Sequence, residues 1–225
     1  MHHLDREIEK LKKSILEVGT IVEESLRYAM QSLLTRSAEP AKRVIHTDPT
    51  VDIREVLVEE ECLKILALYQ PVAYQLRFVI AVLKINNDLE RIGDLAVNIA
   101  QRSLDLMKYP PLEYPVDFKR MAWTVEQMLA KSLDALVNRD STLAVKVCML
   151  DDEVDQMHRD SYPTVAKIIT EHPEQAEALL HLLSVSRYLE RCADQVTNIA
   201  EDVIYLVEGS IVRHKHKHES PNNEE

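Results

Sequence analysis

An all-α chain of two tandem three-helix bundles, with spectrin-like helical packing, is the fold class this sequence predicts. Three observations carry it: apolar residues recur at three- and four-residue spacing, glycine is almost absent, and the second half repeats the first. From Leu4 to about Leu34 the spacing is unbroken through Leu4, Ile8, Leu11, Ile15, Val18, Val22, Leu26, Ala29 and Leu33, one face of a long amphipathic helix. The 225 residues include 3 glycines, and because hairpins and tight turns draw on glycine, a strand-rich architecture is excluded.

After the polar break at 36–40 a second helical pattern runs to about Leu68. Asp48-Pro49 in its middle reads as an N-cap followed by proline at the first helical position, which predicts a kink or restart there. Tyr69-Gln70-Pro71 interrupts the pattern, and a third helix is expected from Val72 to about Leu106. Tyr109-Pro110-Pro111 and Pro115 make a linker. The second half is expected to hold helices over about Phe118–Asn138, Thr142–Thr170 and Glu174–Val212, broken at Arg139-Asp140-Ser141 and His172-Pro173. The expected units are residues 1–108, residues 116–213, and a polar tail, 214–225, with His214, His216 and His218 and no apolar period to pack. That tail is expected to be disordered.

The repeat is explicit in the third helix of each half. Leu89-Glu90-Arg91-Ile92-Gly93-Asp94-Leu95-Ala96-Val97-Asn98-Ile99-Ala100 matches Leu189-Glu190-Arg191-Cys192-Ala193-Asp194-Gln195-Val196-Thr197-Asn198-Ile199-Ala200 at an offset of 100. Upstream the offset is 103, pairing Val44, Asp48, Val51 and Asp52 with Val147, Asp151, Val154 and Asp155, and Glu23 with Glu126.

Composition narrows function. A net charge of −11, with no basic stripe, repels a polyanionic backbone and argues against nucleic acid. Cys62, Cys148 and Cys192 are isolated, without a CxxC spacing, which points to a reducing compartment and against a thiolate zinc site. The charged opening MHHLDREIEKLKK is no signal core, and charges break every apolar stretch well short of ~20 residues, so a cytoplasmic protein is expected. No Gly-rich phosphate loop, GxSxG or HExxH occurs, and no catalytic activity is expected. Trp123 and most of the 8 tyrosines fall at or near helix-packing positions and are expected to be buried in the core or at an interface. An apolar strip on Phe118–Asn138 would serve either dimerisation or intrachain docking.

Residues four apart stack on one helical face, so Glu90, Asp94 and Asn98 form a column off the apolar stripe, as do Glu190, Asp194 and Asn198. In the preceding helix of each half Asp48/Asp52 and Asp151/Asp155 repeat the spacing. Two carboxylate pairs per bundle could therefore share a site, and such oxygen clusters suit magnesium, manganese or iron. Solvated faces also carry acidic pairs laced by arginine, here Arg91, Arg187 and Arg191, and Asp48 could serve as an N-cap. Recurrence of four pairs in register favours a site, because random surface charge has no reason to repeat. A ferritin-like metal-storage or redox bundle is the alternative, weakened by a lone Asp155-x-x-His158 whose equivalent in the first half ends on Glu55.

The segments LERIGDLAVNIA, LERCADQVTNIAEDVIYLVEG and QPVAYQLRFVIAVLKINNDLERIGD resemble the PhoU family, over essentially Leu4 to His214. The resemblance implies a cytoplasmic negative regulator of phosphate uptake and phosphate-starvation signalling. It also implies an adaptor role, often as a homodimer, between the ATPase subunit of a phosphate ABC transporter and a sensor histidine kinase, with the membrane reached only through partners. It implies metal ions, whether iron, zinc, manganese or magnesium, at Asp48, Asp52, Glu90, Asp94, Asp151, Asp155, Glu190 and Asp194. Many members place histidine after the motif aspartate, where this chain has Leu95 and Gln195.

Overall fold

The structure, a computed structural model, describes residues 2–209. These form six α-helices and a short 3-10 turn, with no strand among the described residues: α1 His2–Thr35, α2 Ala38–Tyr69, α3 Ala73–Leu106, α4 Phe118–Asn138, α5 Ser141–Glu171, the turn Pro173–Gln175, and α6 Ala176–Glu208. The expected end of the last helix at Val212 and the disordered tail lie outside the described residues.

Helix ends follow from local chemistry. Asp117 and Asp140 accept hydrogen bonds from the backbone N–H of Arg120 and Leu143 and cap α4 and α5. Left-handed backbone closes several helices, and in a glycine-poor chain other residues adopt it: Arg36 (φ 51°), Gln70 (φ 45°) and Arg139 (φ 56°). Arg36 and Arg139 are repeat-equivalent, so both halves end their first helix the same way. Only α6 ends on a left-handed glycine, Gly209, whose N–H donates to the Tyr205 carbonyl at 2.9 Å.

The restart expected at Asp48-Pro49 does not occur. α2 begins at Ala38 and continues through Pro49, as α5 continues through Pro163. The buried face of α2, Ala41, Val44, Val51, Val58, Cys62 and Ile65, stays in phase across the proline. Burying side chains of that size stabilises by roughly 1.5–3 kcal/mol each, together more than the ~3 kcal/mol that an interior proline costs. Asp48 is therefore a mid-helix residue, not a cap.

Helices α1–α3 pack together, as do α4–α6, but the two bundles share one continuous core. The most extensive helix contact in the molecule joins α3 to α6. Arg77 Nε donates to the Leu206 carbonyl (3.3 Å), Lys84 Nζ to Asp202 Oδ1 (3.0 Å), and Arg102 Nη1 lies 3.1 Å from His181 Nδ1. These pairings make α3 and α6 antiparallel and place their midpoint near Ile92 and Cys192, repeat-equivalent and fully buried.

α1 and α4 behave alike. Lys12 Nζ donates to the Val137 carbonyl at 3.1 Å, and Gly19 lies so close to Leu133 that a Cβ there would stand 2.6 Å from Cδ1. Near the midpoint the equivalent residues Glu23 and Glu126 are half-buried. Burial raises both carboxyls, Glu126 and Asp134 raise Glu23 further, and Arg27 offsets both. The two repeats are thus related by an approximate two-fold axis running between the α1/α4 and α3/α6 pairs.

The apolar strip on α4 serves intrachain docking, burying Met121, Val125, Met128 and Leu129. Trp123 is not in the core of the chain, one of the two roles expected for it: it is 61% exposed on α4. The linker is pinned by Arg36 Nη2, which donates to the Leu106 and Tyr109 carbonyls, and by Tyr114, whose hydroxyl donates to the Leu33 carbonyl at 2.7 Å. No helix among the described residues is long and apolar enough to cross a membrane.

Candidate functional site

In the first bundle α2 supplies Asp48 and Asp52, and α3 supplies Glu90 and Asp94. The two helices pack at this level through Val51 and Gly93, where a Cβ would make an ordinary contact with Val51 Cγ1 at 3.5 Å. Burial lifts the Asp48 carboxyl above its usual range, and the neighbouring Asp52 and Asp94 charges lift it further. Glu90 is raised by burial and then by Asp94, Glu55 and Asp52, with Arg91 offsetting part. All four expected residues are therefore brought together, and Glu55 joins them. Asn86, buried on α3, donates to the Glu55 carbonyl at 2.9 Å and fixes that turn of α2.

The second bundle repeats the arrangement with Asp151 and Asp155 on α5 and Glu190 and Asp194 on α6. Asp151 is the most perturbed, pushed up to about 7 by burial first and then by Asp155 and Asp194. Its Oδ1 is buried without a hydrogen-bond partner. The Thr197 hydroxyl eases the rise, but Thr197 Oγ1 is also buried without a partner in hydrogen-bonding geometry. Glu190 is raised by burial, Asp194 and Asp155, and lowered in part by Arg187 and Arg191. Asp155 pairs with Arg159 at 3.1 Å. His158 Nδ1 lies 2.9 Å from Ser186 Oγ, in the place that the Glu55–Asn86 contact holds in the first bundle.

Arg91, Arg187 and Arg191 thus offset the carboxylates only in part, since Glu90 and Glu190 stay raised despite them. Each bundle presents half-buried carboxylates that repel one another, an environment a cation relieves. The orphaned Asp151 oxygen and the all-oxygen donor set fit a hard divalent ion. As the side chains stand, no group of three or more His, Cys, Asp or Glu among the described residues is drawn close enough to hold a metal ion. Thiols add nothing here: the three cysteines are free, and burial pushes Cys148, beside Asp151, up to about 12.

Sequence spacing found the eight carboxylates but missed Glu55 and Thr197 as neighbours of the clusters. Glu55 lies one turn beyond Asp52 on the same face, a signal present in the spacing. Thr197 emerges only from the packing of α5 on α6. Of the two positions after the motif aspartates, Leu95 is buried in the core, and Gln195 is half-buried with its Oε1 enclosed.

Comparison with known proteins agrees with this geometry. The PhoU domain family matches the chain twice, over residues 15–103 and 118–203. A phosphate-specific transport system accessory protein PhoU homolog of Aquifex aeolicus is 38% identical over 213 residues, covering 95% of this chain and 96% of that protein. Homolog 1 of Thermotoga maritima is 35% identical, covering 92% of this chain and 90% of that protein. The crystal structure of PhoU from Pseudomonas aeruginosa superposes with a TM-score of 0.89 at 32% identity, covering 92% of this chain and 99% of that one. The phosphate transport system regulatory protein PhoU of Streptococcus pneumoniae gives 0.82 at 30%, covering 93% and 99%. With two domain matches, relatives of this identity and six helices in the same arrangement, the chain belongs to the PhoU family.

Proposed function

We propose that this chain is a non-catalytic, cytoplasmic negative regulator of phosphate uptake and phosphate-starvation signalling. It acts as an adaptor between the ATPase subunit of a phosphate transporter and a sensor histidine kinase, and assembles as a homodimer. Its relatives are accessory and regulatory proteins of phosphate transport, which supports this reading. So does the architecture, since a rigid two-fold-related helical body offers two similar faces.

The two carboxylate clusters bind divalent or trivalent cations in this proposal. Asp48, Asp52, Glu90 and Asp94 hold the first ion, and Asp151, Asp155, Glu190 and Asp194 the second. The observation that carries it is the register: four carboxylates recur at equivalent positions, and in each bundle two of them, Asp48 and Glu90 or Asp151 and Glu190, are half-buried and raised by burial and by neighbouring carboxylates. A bound cation neutralises that repulsion and fixes the α2/α3 and α5/α6 faces for docking.

The test is co-purification from cells grown with ample phosphate, read beside a phosphate-starvation reporter in a strain lacking the protein. The native chain is expected to recover the transporter ATPase and the kinase and to restore repression. Recovery of neither partner, with the reporter unchanged by the protein, contradicts the reading.

A further inference from the structure

The two repeats differ on one outer face. On α2, Ile53 (62% exposed), Val56, Leu57 (50%), Leu63 and Leu68 (66%) form an apolar stripe turned away from the core. The buried residues of α2 and α5 stay in register at an offset of 103: Val44, Val51, Val58 and Cys62 against Val147, Val154, Ser161 and Val165. At that offset the stripe positions on α5 are Gln156, Arg159, Asp160, Ala166 and Glu171. Exposed Glu60 and Lys64 interrupt the stripe, but its five apolar positions on α2 are taken on α5 by four polar residues and one alanine. Exposed apolar surface of this extent marks an interaction site.

The edges of the stripe define what fits it. On one side Arg54 pairs with Glu17 at 3.0 Å, and Glu61 accepts from Ser14 at 3.0 Å, so that edge is satisfied within the molecule. On the other side Asp52, Glu55 and Glu59 run along the helix one turn apart. An antiparallel two-fold pairing of the stripe with its own copy lays this acidic edge against itself. An anionic membrane surface is repelled by it.

We propose that the outer face of α2 docks an amphipathic helix of a partner protein. The apolar side of that helix covers Ile53, Leu57, Leu63 and Leu68, and its lysines or arginines lie along Asp52, Glu55 and Glu59. This rests on the adaptor reading and adds a site on the first bundle alone, bordering its carboxylate cluster, so the two bundles of a pseudo-symmetric molecule have different partners. Helix-in-groove recognition of this kind reads anchors at three- and four-residue spacing, and charge along one edge fixes orientation.

The test uses the full-length chain in phosphate-replete cells with a photo-crosslinking residue, Leu57→p-benzoylphenylalanine, and Asp160→p-benzoylphenylalanine as the α5 control. Mass spectrometry identifies the crosslinked segment. The expected product at position 57 is a segment with helical apolar spacing and a basic edge, absent at position 160, and reduced at least tenfold by Ile53→Ser with Leu63→Ser. Circular dichroism confirms that the double variant is folded. A crosslink to another copy of this chain, to lipid or to an acidic segment overturns the proposal, as does no crosslink at all. A segment of the expected pattern from a protein outside phosphate transport and signalling supports the docking site and overturns the adaptor reading. Intact recovery of transporter ATPase and kinase by the double variant does the reverse.

Discussion

Lys84 Nζ stands 3.0 Å from Asp202 Oδ1, joining α3 of the first repeat to α6 of the second. The Asp202 side chain is 2% exposed, so its charge is solvated by protein rather than water. Lys84 also lies over the Tyr205 ring, 5.6 Å from its centroid. The contact is not duplicated: the positions equivalent to Lys84 and Asp202 are Ser184 and Arg102, and Arg102 meets His181 instead.

Lys84→Met leaves the buried Asp202 with one charge partner fewer. Removing one member of such a pair is expected to cost about 1–3 kcal/mol, less than for a fully buried pair because Lys84 is partly solvated. Urea unfolding measures it. An unchanged midpoint contradicts the role given to this contact in joining the bundles.

Gly93 sits mid-helix where its repeat partner is Ala193, and a Cβ there meets Val51 at 3.5 Å and Val22 at 4.0 Å, both ordinary contacts. Gly93→Ala is expected to stabilise by about 0.5–1 kcal/mol, the difference in helix propensity. A thermal or urea melt decides it, and a lower midpoint means that α2 and α3 approach more closely than this.

Asp151 gives the protein a pH dependence of defined sign. Its folded-state carboxyl titrates at about 7, well above the ~3.9 of an unfolded aspartate. Between those values the folded chain binds more protons than the unfolded one, so in metal-free buffer this residue lowers stability progressively as pH rises from about 4 to about 7. Asp151→Asn is expected to flatten that decline and to stabilise the metal-free protein at pH 8 by about 1–3 kcal/mol, after discounting for solvent screening. Chelated samples of both proteins melted from about pH 5 to 8 test it. A variant less stable than the native chain at pH 8 contradicts the assignment.

Much of this was legible in the sequence because helical periodicity is local. The Phe118–Asn138 helix has the bounds that its apolar spacing and its caps, Asp117 and Arg139, imply. Asp48-Pro49 misled because a cap signature is also local, whereas the in-phase face that carries α2 past it belongs to tertiary packing. Trp123 misled for the related reason that an aromatic residue on an amphipathic helix reads as core. The carboxylate register showed which residues share a face, Glu55 included, but the degree of burial at Asp151 and its neighbour Thr197 depend on how two helices meet. The two-fold relation of the bundles, through Glu23 with Glu126 and Ile92 with Cys192, was implicit in the repeat. It became visible only once α1/α4 and α3/α6 were seen to pair.

The most direct measurement of the central claim is manganese binding to the purified chain, followed by the paramagnetic signal of the free ion, for the native protein and for Asp94→Asn combined with Asp194→Asn. The native chain is expected to bind at least one ion per bundle and to melt higher when loaded, because a ligand that binds only the folded state adds stability by mass action. The double variant is expected to lose both the ions and the gain in melting temperature. No bound manganese in the native chain, or equal binding by the variant, contradicts the assignment of the repeated carboxylates as cation sites.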